Sequence, residues 1–153
     1  IIVSRQNAPY FTGSSYEGTL KGAYIVKKSD NPKLVFVATG TEVLLALKAS
    51  ELLNYPVNVV SMPCMNLYED QPFEYKREIF PQGVPVISVE AGIGFAWSRY
   101  SHLHIGVDSY GLSAPAAKIY EHFGLVPDKI AEKANKVVEF YNNHPVPDLV
   151  ERP

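Results

Sequence analysis

Lys33-Leu34-Val35-Phe36-Val37-Ala38-Thr39-Gly40-Thr41-Glu42-Val43 decides the fold. Its apolar run does not alternate with polar residues, as it would in a strand with one wet face. It therefore reads as a strand covered on both sides. Gly40 turns the chain, and Thr41 is placed to cap a helix whose one face is traced by Val43, Leu44, Leu47 and Ser50 or Glu51, ending near Leu53. A buried strand passing within a few residues into a helix is half of a βα unit, and such units imply a parallel sheet with helices on its faces.

The same grammar repeats outward from this segment. Further strands are predicted at residues 23–26, 57–62, 84–90 and 103–107, with Pro85 placing the fourth at a strand start or an unpaired edge. A charged helix is predicted at 72–80 after Asp70, and another at 115–123 that Gly124 stops. The last has Asp128 as its N-cap and an apolar stripe of Ile130, Ala134, Val137, Val138 and Tyr141. The resulting fold class is α/β: a three-layer sandwich with a mostly parallel sheet of about five strands. Residues 1–21 mix Gly, Ser, Asn, Pro and Thr without either period and read as a linker. The segment from Asn142 holds three prolines and reads as a frayed tail over 143–153.

Composition excludes several function classes. The chain has 153 residues, 46% of them hydrophobic and 20% charged, the balance of one globular domain. A formal net charge of -2 and a pI near 6.1 offer no basic field for a phosphate backbone, so no nucleic-acid partner is expected. No apolar run approaches the ~20 residues of a spanning helix, so no membrane partner is expected either. A single cysteine, Cys64, makes neither an intramolecular disulfide nor a Cys-ligated zinc site, which suits a reducing, cytoplasmic compartment. The opening Ile1-Ile2-Val3 has no initiator methionine and no leader pattern, so the chain reads as a piece of a longer protein.

Candidate chemistry is sparse. Gly92-Ile93-Gly94-Phe95-Ala96-Trp97 follows a strand like a dinucleotide fingerprint, but Trp97 stands where the third glycine is needed, so a tight turn over a packed aromatic is expected. Thr39-Gly40-Thr41-Glu42 opens a helix that could hold an anion, yet without the P-loop lysine it reads as a capped start. His102 and His104 share a strand face near Asp108, but no third metal ligand is identifiable; like His122 and His144 they read as structural. Ser98, His102 and Asp108 could be written as a triad, without the elbow that would present its serine. Nothing around Cys64 would activate a thiolate. The carboxylates Glu69, Asp70, Glu74 and Glu78 read as a solvated helix face. No catalytic, cofactor-binding or metal-binding residue is assigned from the residues themselves.

Several segments in order resemble the C-terminal domain of transketolases: Ser4-Arg5-Gln6-Asn7, Ala38-Thr39-Gly40-Thr41-Glu42-Val43, Ser61-Met62-Pro63, Asp70-Gln71-Pro72 with Glu74-Tyr75, Val89-Glu90-Ala91-Gly92, Trp97 with Tyr100, and Ile105-Gly106-Val107-Asp108 running into Gly111-Leu112-Ser113-Ala114-Pro115-Ala116. The resemblance implies that 1–21 links from a preceding pyrimidine-binding domain, that 22–142 is the C-terminal domain, and that the parent enzyme is a homodimer. It also implies two-carbon ketol transfer from ketose to aldose phosphates in the pentose phosphate pathway. Thiamine diphosphate with Mg2+ or Ca2+ would be held by the earlier domains, leaving this segment inactive alone. One residue carries over by its motif: Arg5, whose planar fork suits a sugar phosphate. Trp97, Tyr100, Tyr110 and Tyr120 are candidate aromatic anchors at a subunit contact. Cys64-Met65-Asn66-Leu67-Tyr68 departs from the family pattern and leaves dihydroxyacetone synthase open, although Glu151-Arg152-Pro153 is not a peroxisomal tripeptide. A free-standing ligand-binding or regulatory module, with its site at the Thr41 helix start, is the alternative of a different class.

Overall fold

A computed structural model describes residues 8–151, so Arg5 and the rest of Ser4-Arg5-Gln6-Asn7 lie outside the described residues. The strands are β1 (Tyr24–Lys27), β2 (Leu34–Ala38), β3 (Val57–Ser61), β4 (Val86–Val89) and β5 (Leu103–Ile105). They form one five-stranded sheet in the order β1-β3-β2-β4-β5. β2, β3, β4 and β5 run parallel, and β1 closes one edge antiparallel to β3. The sheet is thus mixed and mostly parallel. β2 occupies its centre, as the uninterrupted apolar run requires.

The side chains of β2 divide the interior in two. Leu34, Phe36 and Ala38 face a core built with Val43, Ala46 and Ala49 of α2 (Glu42–Glu51) and Ile130 and Ala134 of α6 (Pro127–Asn142). Val35 and Val37 face a second core, closed by Tyr68 of α3 (Met65–Glu69), Ile79 of α4 (Phe73–Ile79) and Trp97 of a 3-10 turn (Ala96–Arg99). Helices therefore cover both faces, the three-layer arrangement expected. The remaining helices are α1 (Tyr16–Leu20) and α5 (Ala116–Phe123), the latter ended by Gly124 in the left-handed conformation at φ 75°. Pro85 lies immediately before β4 in the sheet interior, where its carbonyl accepts from Val35 N at 2.9 Å, so it marks a strand start.

Several local expectations are corrected. Thr41 occupies the N-cap position of α2 but makes no side-chain cap: its backbone is already in the right-handed helical region, and its hydroxyl donates to Glu42 instead. Asp128 is not the cap of α6: Val126 holds that position with Pro127 following, and Asp128 sits in the first turn, where a carboxylate complements the helix dipole. Part of the 1–21 segment is ordered. Ser15 Oγ accepts from Gly18 N at 3.0 Å, which starts α1, and Phe11 packs on the first core. α3 escapes periodicity altogether, being one turn long.

The segment from 143 onward also makes defined contacts. Arg77 donates to Asp148 Oδ1 at 3.1 Å and pairs with Oδ2 at 2.9 Å, the Asp148 carboxylate accepts from the amides of Val150 and Glu151, and Leu149 and Val150 pack on the second core. Residues 148–150 thus carry an ion pair and two apolar contacts with the rest of the domain.

Candidate functional site

Parallel strands send all their following loops to one edge. Ala38 is in register with Ser61 and Val89, and Val89 with Ile105, so residues 39–41, 62–64, 90–95 and 106–115 all leave the carboxyl edge of the sheet. In open α/β sheets that edge is where ligand crevices form.

One crevice lies there, a cavity of about 370 Å³ lined in part by Ala8, Thr41, Glu42, Ala116, Ala117 and Tyr120. Its chemistry centres on Glu42, buried to 7% exposure. Among the described residues its donors are two hydroxyls on Oε1: Tyr120 at 2.8 Å and Thr41 at 3.1 Å. Burial, together with the bond to that carboxylate, pushes the Tyr120 phenol up to about 12. The arrangement holds Tyr120 as a donor and not as a base. It also opposes the anion reading of this helix start, because a carboxylate already complements the positive end of α2 and repels a phosphate.

Beyond β4 and β5 lies a polar seam. His104 Nδ1 is 2.8 Å from Ser88 Oγ and its Nε2 is 3.1 Å from the carbonyl of Gly92, while Ser88 Oγ and Ser101 Oγ are 2.8 Å apart. The His104 ring stacks on Trp97, whose indole N–H donates to the Glu90 carboxylate. Ser88 is fully buried. Both nitrogens of His104 are engaged, so this seam presents no nucleophile and no open ligand. His102 is likewise structural: Val86 N donates to Nδ1 at 2.8 Å, which places the proton on Nε2, donating to Pro147 O at 2.9 Å.

The written triad is not assembled. Ser98 donates to Phe95 O at 2.8 Å, Asp108 accepts from Gly94 N at 2.9 Å, and His102 bonds Val86 and Pro147. The dinucleotide loop is instead a tight turn over the aromatic. Trp97 is 1% exposed, and a Cβ at Gly94 would stand 2.9 Å from the His104 ring. Among the anchor candidates, Trp97 and Tyr100 are internal, Tyr120 is held by Glu42, and Tyr110 alone stands free at 97% exposure.

Asp70, Glu74 and Glu78 face solvent, as expected of that helix face. Glu69 does not. Arg99 donates to it at 2.7 Å and Tyr100 at 2.8 Å, and Lys76 pairs with it at 3.2 Å; the Arg99 bond above all holds the carboxyl down to about 2. The sequence reading gives Glu42 no partner and puts Glu69 on a solvated face, and the structure corrects both. The partner of Glu42 lies 78 positions away, beyond any local pattern, and Glu69 ends a one-turn helix that no periodicity announces.

Comparison with known proteins follows this geometry. Residues 22–126 match the family model described as the transketolase-like TK C-terminal domain. The chain is 42% identical over 144 residues to transketolase 1 of Candida albicans, covering 92% of this chain and 21% of that protein. A transketolase structure from Leishmania mexicana superposes with a TM-score of 0.90 at 41% identity, covering 94% of this chain and 22% of the other. A transketolase from Pichia stipitis in complex with sedoheptulose-7-phosphate superposes at 0.93 and 38% identity, over 97% and 22%. The chain thus spans about a fifth of the length of these relatives.

Proposed function

Since this chain belongs to the transketolase family as its C-terminal domain, we propose that the subunit containing it moves a two-carbon ketol unit from a ketose phosphate to an aldose phosphate. The observation that carries the reading is identity near two-fifths along nearly the whole chain, joined to a fold match with a transketolase bound to a sugar phosphate. Fold alone would not carry it.

The domain's own part is structural. His102 and His104 are satisfied internally, the buried carboxylate of Glu42 accepts from two hydroxyls, and Ser88 faces His104 inside the sheet. Among the described residues no group of three or more His, Cys, Asp or Glu side chains could hold a metal ion. Thiamine diphosphate and Mg2+ or Ca2+ belong in this reading to the parts of the enzyme outside the chain, no step is routed through these residues, and the segment itself supports the subunit and its homodimer. Among the described residues no helix is long and apolar enough to cross a membrane. Cytoplasmic residence is part of the proposal, drawn from the lone cysteine.

Arg5 is proposed to hold the substrate phosphate, on the strength of Ser4-Arg5-Gln6-Asn7. In the full-length enzyme Arg5→Ala should weaken kcat/KM for phosphorylated substrates by about 1.5–3 kcal/mol, the scale of a charged hydrogen bond. Unphosphorylated acceptors should be unaffected, and equal losses on both would remove the phosphate role. The isolated chain, given thiamine diphosphate, Mg2+ and sugar phosphates, should show no turnover.

A further inference from the structure

The polar seam beside β4 and β5 holds a titratable ring that the proposed function leaves unused. His104 is clamped: a Cβ at Gly94 would stand 2.9 Å from its Cδ2, and one at Gly106 would stand 1.9 Å from its Nε2. Glycine at both positions leaves room for the ring. Its orientation follows from its partners, because turning the ring over would set carbon against Ser88 Oγ and Gly92 O.

Four contacts run in series through this ring. They are Gly92 O to His104 Nε2 at 3.1 Å, Nδ1 to Ser88 Oγ at 2.8 Å, Ser88 Oγ to Ser101 Oγ at 2.8 Å, and Ser101 Oγ to Trp97 O at 3.0 Å. Both ends are carbonyl oxygens, which only accept, so each contact needs a proton from the three groups between them. A neutral imidazole and two hydroxyls supply three. The contact left without a proton is then the one at Trp97 O, which also accepts from the amides of Tyr100 and Ser101. An imidazolium supplies the fourth proton: Nε2–H donates to Gly92 O, Nδ1–H to Ser88, Ser88 to Ser101, and Ser101 to Trp97 O. Every donor then points away from the ring, and the chain of bonds is complete. The other acceptor near Ser88, Leu103 O, lies 3.5 Å away, at the limit of a hydrogen bond.

The charged neighbours suit a cation. Glu90 accepts the indole N–H of Trp97, which stacks on the ring, and Asp108 accepts from the amide of Gly94 beside it. Arg99, on the same 3-10 turn as Trp97, is committed to Glu69 at 2.7 Å. His102, two positions earlier on the strand, bonds Val86 N and Pro147 O. We propose that His104 is a proton-binding site whose second proton completes a tie between the sheet and the turn at 92–97. The tie is a pH-sensitive brace: with the proton bound all four contacts are hydrogen bonds, and without it one is not. Because the folded chain takes up the proton, the contribution to stability is present at low pH and is lost as pH rises. This inference stands on the fold and does not rest on the ketol-transfer reading.

Solid-state 15N NMR of the full-length enzyme, labelled with ring-15N histidine, tests it, since imidazolium and neutral imidazole nitrogens resonate far apart. The His104 signals are those missing from His104→Gln, whose side-chain amide can donate where Nε2 does. If that variant does not fold, Ser88→Ala, which leaves Nδ1 without its partner, moves the same signals and identifies them. Across a pH series the wild type should show His104 as an imidazolium at the acid end. Ser101→Ala deletes the last two contacts and leaves a neutral ring fully bonded, so it should bind the second proton about threefold to tenfold more weakly. A midpoint that Ser101→Ala leaves unchanged or raises would overturn the proposal. So would a wild-type ring that stays neutral throughout the range from about pH 5 to 8, where an ordinary histidine titrates.

Discussion

Glu69 gathers three donors from two parts of the chain: Lys76 on α4, and the consecutive Arg99 and Tyr100 at the end of the 3-10 turn. Glu69→Gln keeps the shape but removes the charge those donors meet, and should cost about 1–3 kcal/mol in urea unfolding of the domain. The acid limb carries the sign. The carboxyl is held down from 4.5 to about 2, chiefly by the Arg99 bond, and that of Asp148 from 3.8 to about 2, chiefly by the Arg77 bond. A group depressed in the folded state stabilises above its unfolded pKa, so this contribution is complete above about pH 4.5. It is lost as pH falls toward 2. Glu69→Gln should flatten stability across that window, and an unchanged acid limb would show that the Glu69 bonds add nothing.

Among the elements, those with a repeating pattern were legible and those without one were not. β2 announced itself by five consecutive apolar residues, all of them buried in the sheet, and α6 by apolar positions spaced around one face. α1 and α3 are single turns whose order comes from contacts made elsewhere: Gly22 O accepts from Cys64 N at 3.1 Å, and a Cβ at Gly22 would stand 2.7 Å from the Leu67 carbonyl carbon. Gly22 also sits at φ +83°. Gly22→Ala should therefore part α1 from α3 and cost more than the ~1 kcal/mol typical of a point substitution, read as a drop in the urea midpoint. A loss below a few tenths would mean that the two turns do not depend on this approach. The site was half legible for the same reason. The loops could be placed by following each strand to its end, whereas Tyr120 on Glu42, and Trp97 inside and not at a contact, depend on long-range packing that no local spacing encodes.

At the scale of the whole molecule, the sheet keeps two cores apart. Ile130 belongs to one and Ile79 to the other, with the strand backbones between them. Ile130→Val and Ile79→Val should each cost about 0.5–1.5 kcal/mol. Together they should cost the sum of the two within about 0.5 kcal/mol, as non-touching sites do. A coupling well above that would mean that the backbone transmits strain across the layer. If the sum holds, the sheet behaves as a bulkhead: a methyl lost in one compartment leaves the other watertight. The helical layer over α2 and α6 could then drift in sequence without disturbing the layer that braces Trp97, and two histories of substitution could run side by side in one small domain.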